Sequence, residues 1–387
     1  MKREIKLIFT ILFLLMTYKG MASFTKGPYL IYPGTNTKMN ILWQCEQSTQ
    51  AVIQWGTSLA YDNSMTNAQI NNDHFFKCTL SHLKPNKKYY YCVTDNTNKF
   101  ESSFFTAPKS SAKKVSFYAY GDTRSNPSTH NLIAGKILED IQDDPKTRQS
   151  FILFTGDFNT RGNEKDWQKQ WFNRDYKNLV KLYSQVPYMT CRGNHEDDAG
   201  YPVDPYRKYY PHDPDRDYYS FDYGPIHITV IQQFGNNWAN IKDNDPKQYT
   251  WVVNDLVNSQ KPFKFVLFHA PAWSAGGHKD DEFVGMQAMS SNLFVPFGVN
   301  AVINGHNHYY ARCVVDGITH LTLGGGGAPL YTPDIKNNPY VKKVDKAHNY
   351  ARFDIYGKNC QVTVYNTDWD TVVETFYLKS KLNTNKK

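Results

Sequence analysis

Residues 151–164 read FILFTGDFNTRGNE. Large apolar residues in a row suit a strand buried on both faces, and the run halts at Gly156-Asp157, which puts a carboxylate where the core meets solvent. The same grammar recurs in VSFYAYGD (115–122), YMTCRGNHE (188–196), FKFVLFHAP (263–271) and AVINGHNH (301–308), each an apolar run ending in a polar tip. Helical patterns separate them, among them HNLIAGKILEDIQDD (130–144) and EKDWQKQWFNRDYKNLVKLYSQ (164–185). Strands alternating with helices predict an α/β sandwich over residues 115–378. YYSFDYG, IHITVIQ, YARFDIYG, CQVTVYN and VETFYLK extend it into two mixed β-sheets flanked by helices.

Residues 24–106 follow a different rule. MNILWQC, AVIQWG, FFKCTL, KYYYCVT and SSFFTA are short runs of aromatic and β-branched residues between turn signals, which predicts a β-sandwich with Trp43 in its core. LKPNKKYYYCV places Leu83, Pro85 and Tyr89 so as to resemble the tyrosine corner of fibronectin type III domains. A polar stretch at 107–114 reads as the linker between the two blocks.

The N-terminus MKREIKLIFTILFLLMTYKGMASF has the order of a signal peptide: a basic start, an apolar run too short to span a bilayer, and small residues before a cleavage expected near Ala22. A secreted or periplasmic protein without a transmembrane anchor is the expectation. The formal charge is +8, but residues 1–22 hold four cations against Glu4, and the tail 379–387 holds four lysines. The body is therefore close to neutral, a poor match to a surface that tracks nucleic-acid phosphates. Six cysteines (Cys45, Cys78, Cys92, Cys191, Cys313, Cys360) are available for disulfides in an exported chain, with no pairing legible, and none forms the CxxC pair of a zinc ribbon.

The tips are GDTR (121–124), GDFN (156–159), GNHE (193–196), FHAP (268–271) and GHNH (305–308). Singly, each has an ordinary explanation as a helix cap or a satisfied core histidine. Their order (GD, GD, GNH, a lone His, GHxH) resembles the calcineurin-like metallophosphoesterase superfamily, and the preceding sandwich makes purple acid phosphatases the nearest likeness. That resemblance implies a hydrolase with two metal ions, Fe, Zn or Mn by the oxygen and imidazole donors. Two cations roughly 3.5–4 Å apart need a bridging anion with two oxygens, the role implied for Asp157. Asp122 and His308 would complete the first site, and Asn194, His269 and His306 the second. A hydroxide shared by the metals would attack phosphorus, and His195 would donate a proton to the leaving alcohol. Arg161, in GDFNTRG, resembles the arginine of GDxxDRG phosphatases that grips substrate phosphate. Arg124 and the HAPAWSAGGHKDDE segment with His278 and Glu282 would rim the same cleft.

Two positions depart from the pattern. Purple acid phosphatases carry a metal-binding tyrosine in GDxxY where this chain has Thr160, and the commoner GDxH places a histidine where it has Arg124. A first site short of one ligand is expected to give a colourless protein with an exchangeable first ion, the gap open to water, Asn126, Thr160 or His130. The expected activity is hydrolysis of a phosphorylated small molecule, a monoester before a diester of nucleotide or phospholipid type. A reading of another class is a surface protein that keeps the fold to bind glycan through its aromatic residues, 15% of the chain.

Overall fold

The computed structural model describes residues 24–381 apart from 69, 71–72, 96–97, 197–203, 235–239, 277–283 and 337. The signal-like stretch 1–22, the end of the basic tail, His278 and Glu282 lie outside the described residues. Among those described, no helix is long and apolar enough to cross a membrane.

Seven strands form the N-terminal sandwich: β1 (Phe24–Ile31), β2 (Met39–Cys45), β3 (Gln50–Gly56), β4 (Asn63–Ala68), β5 (Phe75–Leu80), β6 (Lys88–Asp95) and β7 (Asn98–Phe105). One antiparallel sheet runs β1-β2-β5 and the other β4-β3-β6-β7. Trp43 is buried between them, stacked on Phe76 with centroids 5.3 Å apart. Tyr89 accepts from the Lys84 amide at 2.9 Å, the contact a tyrosine corner makes. β1 and β4 were absent from the sequence pattern: β1 carries an interrupting Gly-Pro, and β4 is a polar, exposed edge strand. The sandwich docks on the rest of the chain through aromatic residues, with Tyr29 donating to the Tyr209 carbonyl at 2.6 Å and Tyr91 to that of Ser184 at 2.8 Å.

The α/β part has two sheets. The first, ordered β10-β9-β8-β18-β19-β20, is built from β8 (Lys114–Tyr120), β9 (Ile152–Phe154), β10 (Tyr188–Thr190), β18 (Asn349–Tyr356), β19 (Asn359–Asn366) and β20 (Thr371–Lys379). The second, ordered β11-β12-β13-β14-β16-β15-β17, is built from β11 (Tyr219–Tyr223), β12 (Ile226–Val230), β13 (Phe263–Leu267), β14 (Ala301–Asn304), β15 (Tyr310–Val315), β16 (Ile318–Leu323) and β17 (Val341–Asp345). They meet face to face through Phe117, Phe151 and Phe353 on one side and Phe221, Tyr223 and Phe265 on the other. β8, β9 and β10 are parallel, as are β12, β13, β14 and β16. The five chemically loaded tips all follow parallel strands, at the carboxyl ends where α/β sheets place ligands.

The helical pattern at 164–185 resolves into a short helix at Glu164–Asp166, a wide turn, and a helix at Lys177–Gln185. In the turn the Phe172 amide reaches back five residues to the Trp167 carbonyl. This lets Trp167 and Trp171 both enter the aromatic core against Phe158 and aims Gln170 at the loops above. All six cysteines are buried and none is bonded to another, so they serve as small apolar core residues.

His227 on β12 bonds Asp222 and Asp255, each at 2.9 Å, tying the helix Pro246–Asn258 to the sheet. Burial would lower its pKa, but the two carboxylates outweigh burial and raise it to about 9. The folded value lies above the ordinary 6.5, so this stabilisation is complete below pH 6.5 and is lost as pH rises through about 9. Urea unfolding is expected to show a loss of roughly 2–3 kcal/mol across that window, absent in His227→Gln.

Candidate metal centre

Asp122 follows β8, Asp157 follows β9, Asn194 and His195 follow β10, His269 follows β13, and His306 and His308 follow β14. Backbone bonds lace the tips together: the Asp122 amide donates to Gly156 at 2.9 Å, Thr123 to the Asp157 carbonyl at 3.1 Å, and Gly305 to His269 at 2.8 Å. Asp122, Asp157 and His306 all hold left-handed backbone, with φ of 58°, 57° and 67°. Such conformations cost of order 1 kcal/mol or more each and persist where the surroundings dictate them. Gly193 and Gly305 are required by space, because a Cβ at either would lie 2.2 Å from a carboxylate oxygen of Asp157 or Asp122.

Four donor atoms from four tips converge. His269 Nε2 is 3.2 Å from Asn194 Oδ1, 3.3 Å from His306 Nδ1 and 3.4 Å from Asp157 Oδ1, and Asn194 Oδ1 is 3.1 Å from His306 Nδ1. Donors bound tetrahedrally at the usual zinc distances stand about 3.3 Å apart, the spacing His269 Nε2 keeps to each of the other three atoms. Asp122 Oδ1 is 3.9 Å from His269 Nε2, near enough to join, and accepts from the His306 amide at 2.9 Å. Asp122, Asp157 and His269 also form a buried group whose ligand atoms all lie within 4.8 Å of one another. His269 Nδ1 donates to the Thr155 carbonyl at 2.6 Å, which leaves Nε2 as the free donor atom and fixes the ring plane.

The electrostatics suit a cation. Burial would raise the Asp157 carboxyl, but His269, His195 and Arg124 around it outweigh burial and hold it well below the usual carboxylate range. Burial, reinforced by Asp157, pushes Asp122 well above that range. Two acidic groups so close, both buried, need positive charge between them.

Asp157 faces two ways. Oδ1 points to the four-donor cluster, whereas Oδ2 lies 3.5 Å from Arg124 Nε and 3.7 Å from His195 Nε2. His195 is a quarter exposed, and its Nδ1 donates to the Thr160 carbonyl at 2.7 Å, which turns Nε2 toward the site. Thr160 thus contributes through its backbone. Its hydroxyl and amide both bond Gln170 Oε1 at 3.0 Å, so its side chain is turned away from the carboxylates. Asn126 caps the helix Pro127–Asp143, and His130 is buried against Trp171 and bonded to Tyr120. None of the three candidates for the missing ligand is therefore aimed at the first site.

Of the expected substrate-binding residues, Arg124 reaches the cluster. Arg161 is exposed on the Asp157 loop and makes no side-chain bond among the described residues.

Glu196 has no legible role in sequence beyond its place in GNHE, yet it is buried and accepts three amides: Asp157 at 2.8 Å, Phe158 at 2.9 Å and Gly193 at 3.0 Å. Burial and the nearby Asp157 raise it to about 7. Glu196→Ala would leave three buried N–H groups unpaired. It is expected to cost roughly 3 kcal/mol or more in denaturant unfolding and about 10–100-fold in metal affinity by titration.

Two family models match this chain. One, described as calcineurin-like phosphoesterase, covers residues 119–310, and the other, described as purple acid phosphatase, N-terminal domain, covers residues 25–123. The chain is 24% identical over 324 residues to an uncharacterized Mycobacterium tuberculosis protein, covering 69% of this chain and 60% of that one. It is also 24% identical over 321 residues to acid phosphatase type 7 of Danio rerio, covering 73% and 70%. The purple acid phosphatase PPD1 of yellow lupin (Lupinus luteus) seeds superposes with a TM-score of 0.71 at 16% identity, over 92% of this chain and 74% of that one, a likeness of fold. The matched region thus spans about 60% of the mycobacterial relative's length.

Fold and tips together are those of a metallophosphoesterase domain. The chain carries a calcineurin-like phosphoesterase domain behind a purple acid phosphatase N-terminal domain.

Proposed function

We propose that the chain is an exported, metal-dependent hydrolase of phosphate monoesters. The convergence of Asn194, His306 and Asp157 atoms on His269 Nε2 at 3.2–3.4 Å, with His195 beside them, carries this reading. A divalent ion held there would supply positive charge to phosphate oxygens and make a water more acidic. His195, oriented by the Thr160 carbonyl, delivers a proton to the leaving alcohol from Nε2 when its ring is in the doubly protonated form, and is left neutral with its Nδ1 proton still donated to the Thr160 carbonyl. Arg124 presents fixed positive charge to the phosphate, and a dianionic monoester gains more from it than a diester. The acid phosphatase name of one relative agrees with this choice, and the signal-like N-terminus supports export.

Parallel assays with p-nitrophenyl phosphate and bis-p-nitrophenyl phosphate test the substrate class. Faster, metal-dependent release from the monoester is the expected outcome. Faster diester turnover would make the enzyme a phosphodiesterase, and release from neither would count against hydrolysis.

A further inference from the structure

The position that supplies a metal-binding histidine in GDxH is occupied here by Arg124, and the side chain does not swing out to solvent. It is 16% exposed, with Nε 3.5 Å from Asp157 Oδ2 and Nη2 3.4 Å from His308 Nε2. Asp157 and His308 are two of the three residues expected to hold a first ion, and the guanidinium contacts both. His308 Nδ1 donates to the Pro329 carbonyl at 2.8 Å, so Nε2 carries the lone pair, and that lone pair faces Arg124. Tyr331 stacks on the other face of His308 with centroids 4.1 Å apart, holding the ring in place.

The backbone holds Arg124 in position. Its amide donates to the Asp157 carbonyl at 3.3 Å, and the next amide, Ser125, donates to Gln170 Oε1 at 3.0 Å. The same Gln170 oxygen takes the Thr160 amide and hydroxyl, so one side chain fixes the Arg124 loop and turns Thr160 away from the carboxylates. Both departures from the family pattern therefore have one structural consequence. We infer that the Arg124 guanidinium replaces the first metal ion, so the centre binds a single ion through Asp157, Asn194, His269 and His306.

The charge balance holds. Two carboxylates facing one divalent ion and one guanidinium leave the site net positive, as a phosphate ester requires. Asp157 still bridges, with Oδ1 toward the ion and Oδ2 toward Arg124. A guanidinium has five donors, so contacts to Asp157 and His308 leave others for a phosphate oxygen.

The inference rests on the metallophosphoesterase reading, and metal stoichiometry separates the two. The full chain, stripped with chelator and dialysed against Zn²⁺ or Mn²⁺, is weighed by native mass spectrometry and assayed by plasma emission. One ion per wild-type chain is expected. Arg124→His, which restores the GDxH donor, is expected to bind two, and Arg124→Lys, which keeps a cation, only one. Thermal melts of both variants verify folding, and the wild-type count stands without them. Two ions per wild-type chain would overturn the inference while leaving the hydrolase reading intact. No bound ion in the wild type would overturn both.

Discussion

Asp157→Ala is expected to abolish hydrolysis and to release the bound ion in the same step. Asp157 Oδ1 stands 3.4 Å from His269 Nε2, and Oδ2 answers Arg124 and His195, so one carboxylate neutralises the cations on both sides of the site. Without it the Arg124 guanidinium and any ion placed beside it repel one another with no shared carboxylate between them. Losing the ion forfeits several kcal/mol of transition-state stabilisation, which is roughly 10³-fold or more in rate. Metal content and turnover of p-nitrophenyl phosphate in one preparation check this. A variant that kept its ion and its rate would place the chemistry elsewhere. Asp157→Asn retains volume and hydrogen bonds, so its loss of metal would separate the role of charge from damage to the loop.

His195→Ala should act differently, lowering kcat by about 10²–10⁴-fold with metal content unchanged, because its ring lies outside the four-donor cluster, with Nδ1 held by the Thr160 carbonyl and Nε2 3.7 Å from Asp157 Oδ2. The size of the loss should depend on the leaving group. A nitrophenolate departs without a proton, so the variant is expected to retain most activity on p-nitrophenyl phosphate and to fail on alkyl phosphates. Equal losses on both would assign His195 to ground-state binding or to positioning of Asp157, whose Oδ1 also accepts the His195 amide at 3.2 Å.

Much of this molecule was legible because its α/β core obeys a simple rule. A buried parallel strand reads as an apolar run, and the residue after it sits at the sheet's carboxyl edge. FILFTGD and AVINGHNH thus located Asp157, His306 and His308 before any coordinates, and the spacing of Leu83, Pro85 and Tyr89 anticipated the bond from Lys84 to Tyr89. β1 and β4 escaped because a Gly-Pro break and a mostly polar edge carry no periodic signal. Glu196 escaped because its function is to receive backbone amides, and no residue pattern encodes that. The same holds for Gln170, delivered by a turn one residue wider than an α-helix. At Thr160 and Arg124 the sequence showed what was missing but not what replaced it: a carbonyl that orients His195, and a guanidinium set between Asp157 and His308.

Anomalous diffraction at the metal absorption edge, from crystals grown with Zn²⁺ or Mn²⁺, tests the central claim most directly. The expected result is a peak within bonding distance of Asp157 Oδ1, Asn194 Oδ1, His269 Nε2 and His306 Nδ1. A peak away from those atoms, or none at saturating metal, would contradict it.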